Sequence, residues 1–280
     1  MNEGVFKTGL VFSHYFRNYY RSRSFYLMLF IVILVVSLLT YLSFRYFAYN
    51  ADLPNFLRTG IVINDSLKRS EFQYIWEFAG NYLPVFAGVF FGSPAISSEI
   101  ESRTAFNTFT LPMPRFVLYS GKFLAAFSVS ALIMSIFYVG QLTNYLLLYE
   151  RLPGFNFFQS YVAMLLFALA IISITFLVST VFNKNTYAYI SVFILYFLVF
   201  NTASLVITFL YNVTPYYLLN VASSIDFEVY INFNPFDFAS VPSLSPAPAS
   251  QIITYFLVMV IYTVSTFMAG AFIFENKEVN

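Results

Sequence analysis

ISSEIESRTAFNTFTLPMPRFVLYSGKFLAA, residues 96–126, is a polar, charged island between two long apolar runs. Ser98, with Glu101 three residues on, has the form of a Ser-x-x-Glu capping box, which satisfies free amides at a helix start. Glu99 and Arg103 are four apart and fall on one helical face. Pro112 and Pro114 forbid the helix from continuing, because proline lacks an N–H and disfavours helical geometry in the residue before it. Arg115, Gly121 and Lys122 then lead into the next apolar run. The island reads as a short capped helix with a stiff exit, joined to a membrane span on each side.

Composition supports the membrane setting. Of 280 residues, 59% are hydrophobic and 10% charged, and the mean hydropathy is +0.73. A soluble domain carries about 25% charged residues, so the chain is expected to be an all-α integral membrane protein. The net charge of +1 gives bulk electrostatics nothing with which to hold nucleic acid. Cysteine is absent, which removes disulfides and thiolate metal sites. Aromatic residues make up 22%, suited to lipid-facing surfaces and interfacial belts.

Residues 5–23 have helical amphipathicity, with Lys7, His14, Arg17 and Arg21 on one side and Val5, Phe12, Phe16 and Tyr19 opposite. The pattern predicts a helix lying in the membrane interface. The one histidine, His14, reads as a solvated surface group. Six spans of about 20 apolar residues are expected at about 25–44, 78–96, 123–148, 158–182, 187–211 and 251–274. Pro84 and Pro94 lie inside the second, Trp76 just ahead of it as an interfacial anchor, and 45–77 reads as a mixed-charge loop. Residues 212–250 read as a long loop with Asp226, Glu228 and Asp237 but no Lys or Arg. Six spans put both termini on one side. Nine basic residues fall there (Lys7, Arg17, Arg21, Arg23, Arg103, Arg115, Lys122, Lys184 and Lys277), against five (Arg45, Arg58, Lys68, Arg69 and Arg151) opposite. That asymmetry predicts cytoplasmic termini, a cytoplasmic 97–122 segment and an external 212–250 loop in a single transmembrane domain of the plasma membrane. The sequons at Asn64 and Asn212 then fall outside, where glycosylation is expected.

Several chemistries have no motif. There is no Gly-x-x-x-x-Gly-Lys-Ser/Thr loop to cradle phosphates and no His-Glu-x-x-His, and one histidine builds no histidine metal site. As bounded above, the spans hold no Asp, Glu, Lys, Arg or His, which counts against a proton or ion relay. Backbone carbonyls can still coordinate sodium, so an ion-coupled secondary transporter or channel subunit stays open. So does a membrane scaffold or enzyme subunit with no transport role.

Glu-x-Glu-x-x-Thr at 99–104, Leu-Pro-x-Pro-Arg at 111–115 and Gly-Lys-Phe-Leu-Ala-Ala at 121–126 resemble, in that order, the segment joining the second and third membrane helices of ABC-2-type permeases. These are the membrane subunits of ATP-binding cassette exporters. The basic amphipathic opening helix and the six-span layout are similar too, whereas Arg103 stands where family members often have glycine. The resemblance implies an ABC-2-type permease bundle that is not itself an enzyme and exports a substrate with energy from a separate ATPase. ATP and Mg would be held by two copies of that ATPase subunit. Glu99, Glu101, Arg103 and Thr104 match the helix that docks on it, and Pro112, Arg115, Gly121 and Lys122 the return into the third span. Lys7, Arg17 and Arg21 would form a further cytoplasmic contact. A second permease chain would face this one across the substrate path, within membrane lipid. Candidate path groups are Ser130, Ser135, Asn201, Thr202, Ser204 and Thr208; helix–helix hydrogen bonding is the other reading of each.

Overall fold

The computed structural model describes residues 3–48, 65–104, 113–235 and 245–277. Asn64, Arg58, Pro112 and Asp237 lie outside them. The described residues are overwhelmingly helical and contain no strand. Helix α1 is Glu3–Tyr20, and α2, Arg23–Ser43, begins at the cap Ser22 and ends in a π-helical turn, Phe44–Ala48. A broken helix follows: α3 (Asp65–Gly80), α4 (Leu83–Ala87), a π-helical turn at Gly88–Gly92, and α5 (Pro94–Glu101). Next come α6 (Arg115–Tyr149) and α7 (Phe155–Val181). Helices α8 (Asn185–Phe193) and α9 (Asn201–Tyr211) run on through a π-helical stretch, Ile194–Phe200. Two short helices, α10 (Leu219–Ser223) and α11 (Ile225–Glu228), precede the long α12 (Ala249–Asn276). Six of these helical runs are long and apolar enough to cross a membrane, with 65–101 counted as one broken run.

Helix α7 is the centre of the bundle. It packs most extensively on α12 and also meets α6, the broken helix, α8, α10 and α11. Its sequence explains the position: Ala163, Ala168, Ala170, Ser173 and Ser179 are buried small residues that let neighbouring backbones approach closely. The run from α8 to α9 is the opposite case, with large apolar side chains such as Leu198, Phe209 and Leu210 standing exposed.

Several sequence expectations change. The second span is longer than 78–96, because helix already begins at Asp65 inside the stretch expected as a loop. Trp76 is no interfacial anchor: it is buried, and its Nε1 donates to Ser43 Oγ at 2.9 Å. Pro84 and Pro94 each sit in the first turn of a new helical segment, where a missing N–H removes no intrahelical bond. Part of the expected 212–250 loop is a packed segment, with every residue from Val221 to Ile231 buried. Burying it takes Asp226 and Glu228 into the interior, and Glu77 of α3 and, separately, Lys122 of α6 are buried as well. The spans are therefore not free of buried charge-bearing groups. The apolar runs alone did not show this, because Glu77 stands one residue ahead of its run and Lys122 one residue ahead of the next.

Two of the helix breaks are tied to other parts of the chain by side-chain hydrogen bonds. Restarting the helix at Pro94 frees amides of its first turn, and Ser179 Oγ of α7 accepts from both Ile96 N and Ser97 N at 3.0 Å. At the Gly80–Leu83 break, Asn81 Nδ2 donates to Ser223 O at 3.2 Å. Gly92 lets the π-helical turn press on α7, since a Cβ there would stand 2.8 Å from Thr175 Cβ.

Ser179→Ala would leave two buried amides without an acceptor at once. We expect it to lower stability by about 2 kcal/mol, read as a reduced unfolding temperature in detergent, whereas Ser265→Ala on the exposed face of α12 should leave it unchanged.

Candidate functional site

The charged end of the bundle is built by α1, α5 and the start of α6. Gly121 allows the approach of α1, since a Cβ there would meet Val11 Cβ at 2.7 Å and Thr8 O at 3.2 Å. Beside it, Lys122 is wholly buried. Its ammonium pairs with Glu99 Oε2 at 2.5 Å, donates to Ala95 O at 3.1 Å and lies 4.7 Å from the centre of the Tyr15 ring. Tyr15 Oη also donates to Glu99 Oε1 at 2.6 Å. One ion pair, with Lys122 wholly buried and Glu99 16% exposed, thus ties three helices together. Losing either partner would strand a charge, the most expensive outcome in a low-dielectric interior.

The remaining charged groups of this end mostly close helix termini. Glu101 Oε2 accepts from Asn185 N at 2.9 Å and so caps α8, an anion at a helix N-terminus. Arg115 Nη1 donates to Glu275 O at 2.9 Å and Lys277 O at 2.7 Å. Lys277 Nζ donates to Thr180 O at 2.6 Å, in the last turn of α7. The expected capping box is absent: α5 starts at Pro94, Ser98 Oγ bonds back to Pro94 O within the helix, and Glu101 ends the helix. Glu99 and Arg103 do not form a helical pair either, because Arg103 lies beyond the helix end in left-handed geometry with φ 59°. Arg103, Thr104, Glu101, Arg17 and Arg21 are exposed at this end, and Lys7 is half-buried. His14 is exposed and lies 3.1 Å from Asn18 Nδ2.

A cavity of about 300 Å³ opens between α9, the α10–α11 segment and the break in the second span. Asn201, Ser204 and Thr208 of the six path candidates line it, with Asn81 and Asn220 adding amides and Tyr82, Tyr196 and Phe227 aromatic walls. Asn220 Nδ2 spans two of them, donating to Asn201 Oδ1 at 3.1 Å and Ser204 Oγ at 2.9 Å. The other three candidates lie elsewhere. Ser130 Oγ bonds back to Ala126 O, Ser135 Oγ meets Tyr161 Oη at 2.8 Å, and Thr202 is exposed. Sequence reading missed Asn81, Asn220 and Thr214 because they fall in what looked like a loop or a span end. The remaining sequon, Asn212, is exposed and ends α9 in left-handed geometry with φ 50°.

A family model described as "ABC-2 family transporter protein" matches residues 10–279, nearly the whole chain. The chain belongs to the ABC-2 transporter family. No curated protein matches it significantly. The protein is thus a multi-pass membrane permease of ABC transporters, a membrane component and not itself catalytic, and its family implies association with an ATP-binding cassette ATPase. In this permease the Gly-Lys pair of the third span has a physical role: glycine admits α1 and lysine fastens α5 beneath it.

Lys122→Met should destabilise the permease by about 3 kcal/mol, because it leaves the Glu99 carboxylate unpaired. Adding Glu99→Gln should restore part of that loss. A double-mutant cycle on the unfolding temperature measures the coupling, and additive effects would rule out the fastening role.

Proposed function

We propose that the protein is an export permease whose α1–α5–α6 end docks a separate ATP-binding cassette ATPase, and that the 300 Å³ cavity belongs to its substrate path. The observation that carries this reading is the Lys122–Glu99–Tyr15 fastening. It makes the exposed end of α5 rigid with α1 and with the 35-residue α6, so a push on that end reaches the spans without being absorbed in a flexible loop. Two ATPase subunits holding ATP and Mg would deliver the push, one for each of two facing permease chains. The nine-to-five distribution of basic residues favours placing this end, with both termini, in the cytoplasm of a plasma-membrane protein. The cavity and the turn at Glu150–Arg151 would then face outward.

The docking contact itself is assigned to the exposed Arg103 and Thr104, with Arg17 and Arg21 on α1 as a second contact. Glu99 and Glu101 are engaged inside the chain, so they hold the docking surface in shape. Arg115 does the same for the end of α12. Asn201, Ser204 and Thr208 are retained as path groups with Asn220; Ser130, Ser135 and Thr202 are assigned to helix packing or the outer surface. The cavity's lining carries amides, hydroxyls and aromatic rings and no Lys, Arg, Asp or Glu, which suits an uncharged, hydrogen-bonding portion of a substrate.

Arg17→Glu/Arg103→Glu should leave the unfolding temperature within about 1 °C of wild type, since substitutions on exposed surfaces change stability little. Copurification of the ATPase should nevertheless be lost. Retention of full ATPase binding and coupled hydrolysis in that variant would remove the docking assignment. For orientation, cysteines introduced at Ser102 and Leu152 of this cysteine-free chain should react differently with an impermeant thiol reagent on intact cells. Leu152→Cys should label, and Ser102→Cys should label only after permeabilisation.

A further inference from the structure

At the other end of the bundle, the buried segment after α9 carries Asp226 against Glu77 of α3. Both are wholly buried. Tyr138 Oη of α6 donates to Glu77 Oε2 at 2.8 Å and lies 2.9 Å from Ser160 Oγ, whose hydroxyl donates to Asp226 O at 2.6 Å. Asn81 Nδ2 donates to Asp226 Oδ2 at 2.8 Å. The second oxygen of each carboxyl, Glu77 Oε1 and Asp226 Oδ1, is buried without a well-formed hydrogen bond, and so are Tyr230 Oη and both polar atoms of the wholly buried Gln141. Gln141 faces Glu77, Tyr230 faces both Glu77 and Ser160, and the backbone amides at Asp226 and Phe227 face the Asp226 carboxyl, all in contacts looser than a well-formed hydrogen bond. Two carboxyl oxygens with three further buried polar atoms beside them, four of the five able to accept, describe a site whose occupant brings positive charge.

Among the described residues no counter-ion faces the pair. The broken helix and its break present Tyr74 and Tyr82, α6 presents Tyr138, the π-helical stretch before α9 presents Tyr196, and the segment itself adds Glu228 and Tyr230; α7 presents the neutral Ser160. Glu228 has its own partners, Ser224 Oγ and Gln251 Nε2, each at 2.6 Å. Burial pushes the Asp226 carboxyl well above the usual carboxylate range, against the pull of the Asn81 hydrogen bond. Two anions buried with no cation beside them cannot both stay ionised and empty. Among the described residues no three His, Cys, Asp or Glu converge, so the donor set suits a single charge rather than a divalent metal. Asn81 also lines the cavity, which puts the cavity wall one hydrogen bond from Asp226.

We propose that Glu77 and Asp226, with Gln141, Tyr138 and Tyr230, form a binding site for one small monovalent cation, a proton or sodium, reached from the cavity through Asn81. The site lies far from the Lys122 fastening: nineteen residues of α6 separate Lys122 from Gln141, about 28 Å at 1.5 Å per residue. It therefore does not depend on the assignment of the ATPase contact.

The experiment uses the full chain in lipid nanodiscs, with unfolding temperature measured from pH 5 to pH 9 in sodium chloride and in choline chloride. A carboxyl whose folded-state pKa is raised holds a proton that the unfolded chain has released, so folded stability falls as pH rises towards that folded pKa. Wild type in choline chloride should lose stability in that direction, and Glu77→Gln/Asp226→Asn, neutral at those two positions at every pH, should lose clearly less. If sodium is the occupant, sodium chloride should raise the wild-type unfolding temperature at pH 9 by about 5 °C and leave the double variant unmoved. If the proton alone is the occupant, the two salts should agree at every pH. Infrared difference spectra between pH 9 and pH 5 should then show a protonated-carboxyl band in wild type that the variant lacks. A wild type that matches the variant in both salts and in the infrared spectrum overturns the proposal.

Discussion

Every peptide group released at a helix break in this bundle must find a partner inside the chain, because hydrocarbon offers none. That constraint organises the structure more than its apolar packing does. Apolar side chains are as comfortable against lipid as against one another, so they fix which segments cross but not how they meet. The meeting points are set by polar groups with one place to go. Ser179 takes the amides freed at Pro94, Asn81 answers the carbonyl of Ser223, Glu101 closes α8, and Asn156 donates to Val229 O at 2.8 Å. Each bond joins segments distant in sequence, so together they specify the bundle's register.

The same constraint explains why the second span can be broken without being weak. Its Asn81–Tyr82 break and its π-helical turn bend the chain around α7, and a bend of that kind needs a named cause such as proline or a π-bulge. Gly88 and Gly92 let the bend lie directly on the α7 side chains Ile171 and Thr175. Below the bend, the Lys122–Glu99 pair turns three helix ends into one body. Above it, the break supplies one wall of the cavity and the asparagine that touches Asp226. A single interrupted helix thus connects the charged end of the permease to its buried carboxyls.

The family and the helical class were legible because they rest on signals that survive without contacts. Six long apolar runs and three short motifs in a fixed order need only the sequence. What the sequence concealed was the inward direction of charged side chains. Glu99 and Lys122 are twenty-three residues apart, on helices whose facing no periodicity determines, and a charged residue beside an apolar run reads as solvated by default. The 212–250 stretch was misread for the same reason. Its Pro, Ser and Asn content describes a loop, and burial comes from Tyr74, Ser160 and Gln251, which belong to three other helices. Gly121 and Lys122 show the intermediate case: the motif marked the position, and only the neighbours Val11 and Glu99 explain it.

The contact between α7 and α12 bears on how the protein is made. About seventy residues separate the end of α7 from the start of α12, so α7 leaves the ribosome well before the helix that covers it most fully. Until α12 arrives, Ser173 lacks both Thr263 O, to which it donates at 2.8 Å, and Thr266 Oγ1, which donates to it at 2.7 Å, and Thr180 O lacks the Lys277 ammonium. The central helix of the finished bundle therefore carries unsatisfied polar groups until the last span is made. Assembly of the bundle is completed from the last helix inward, not outward from its middle.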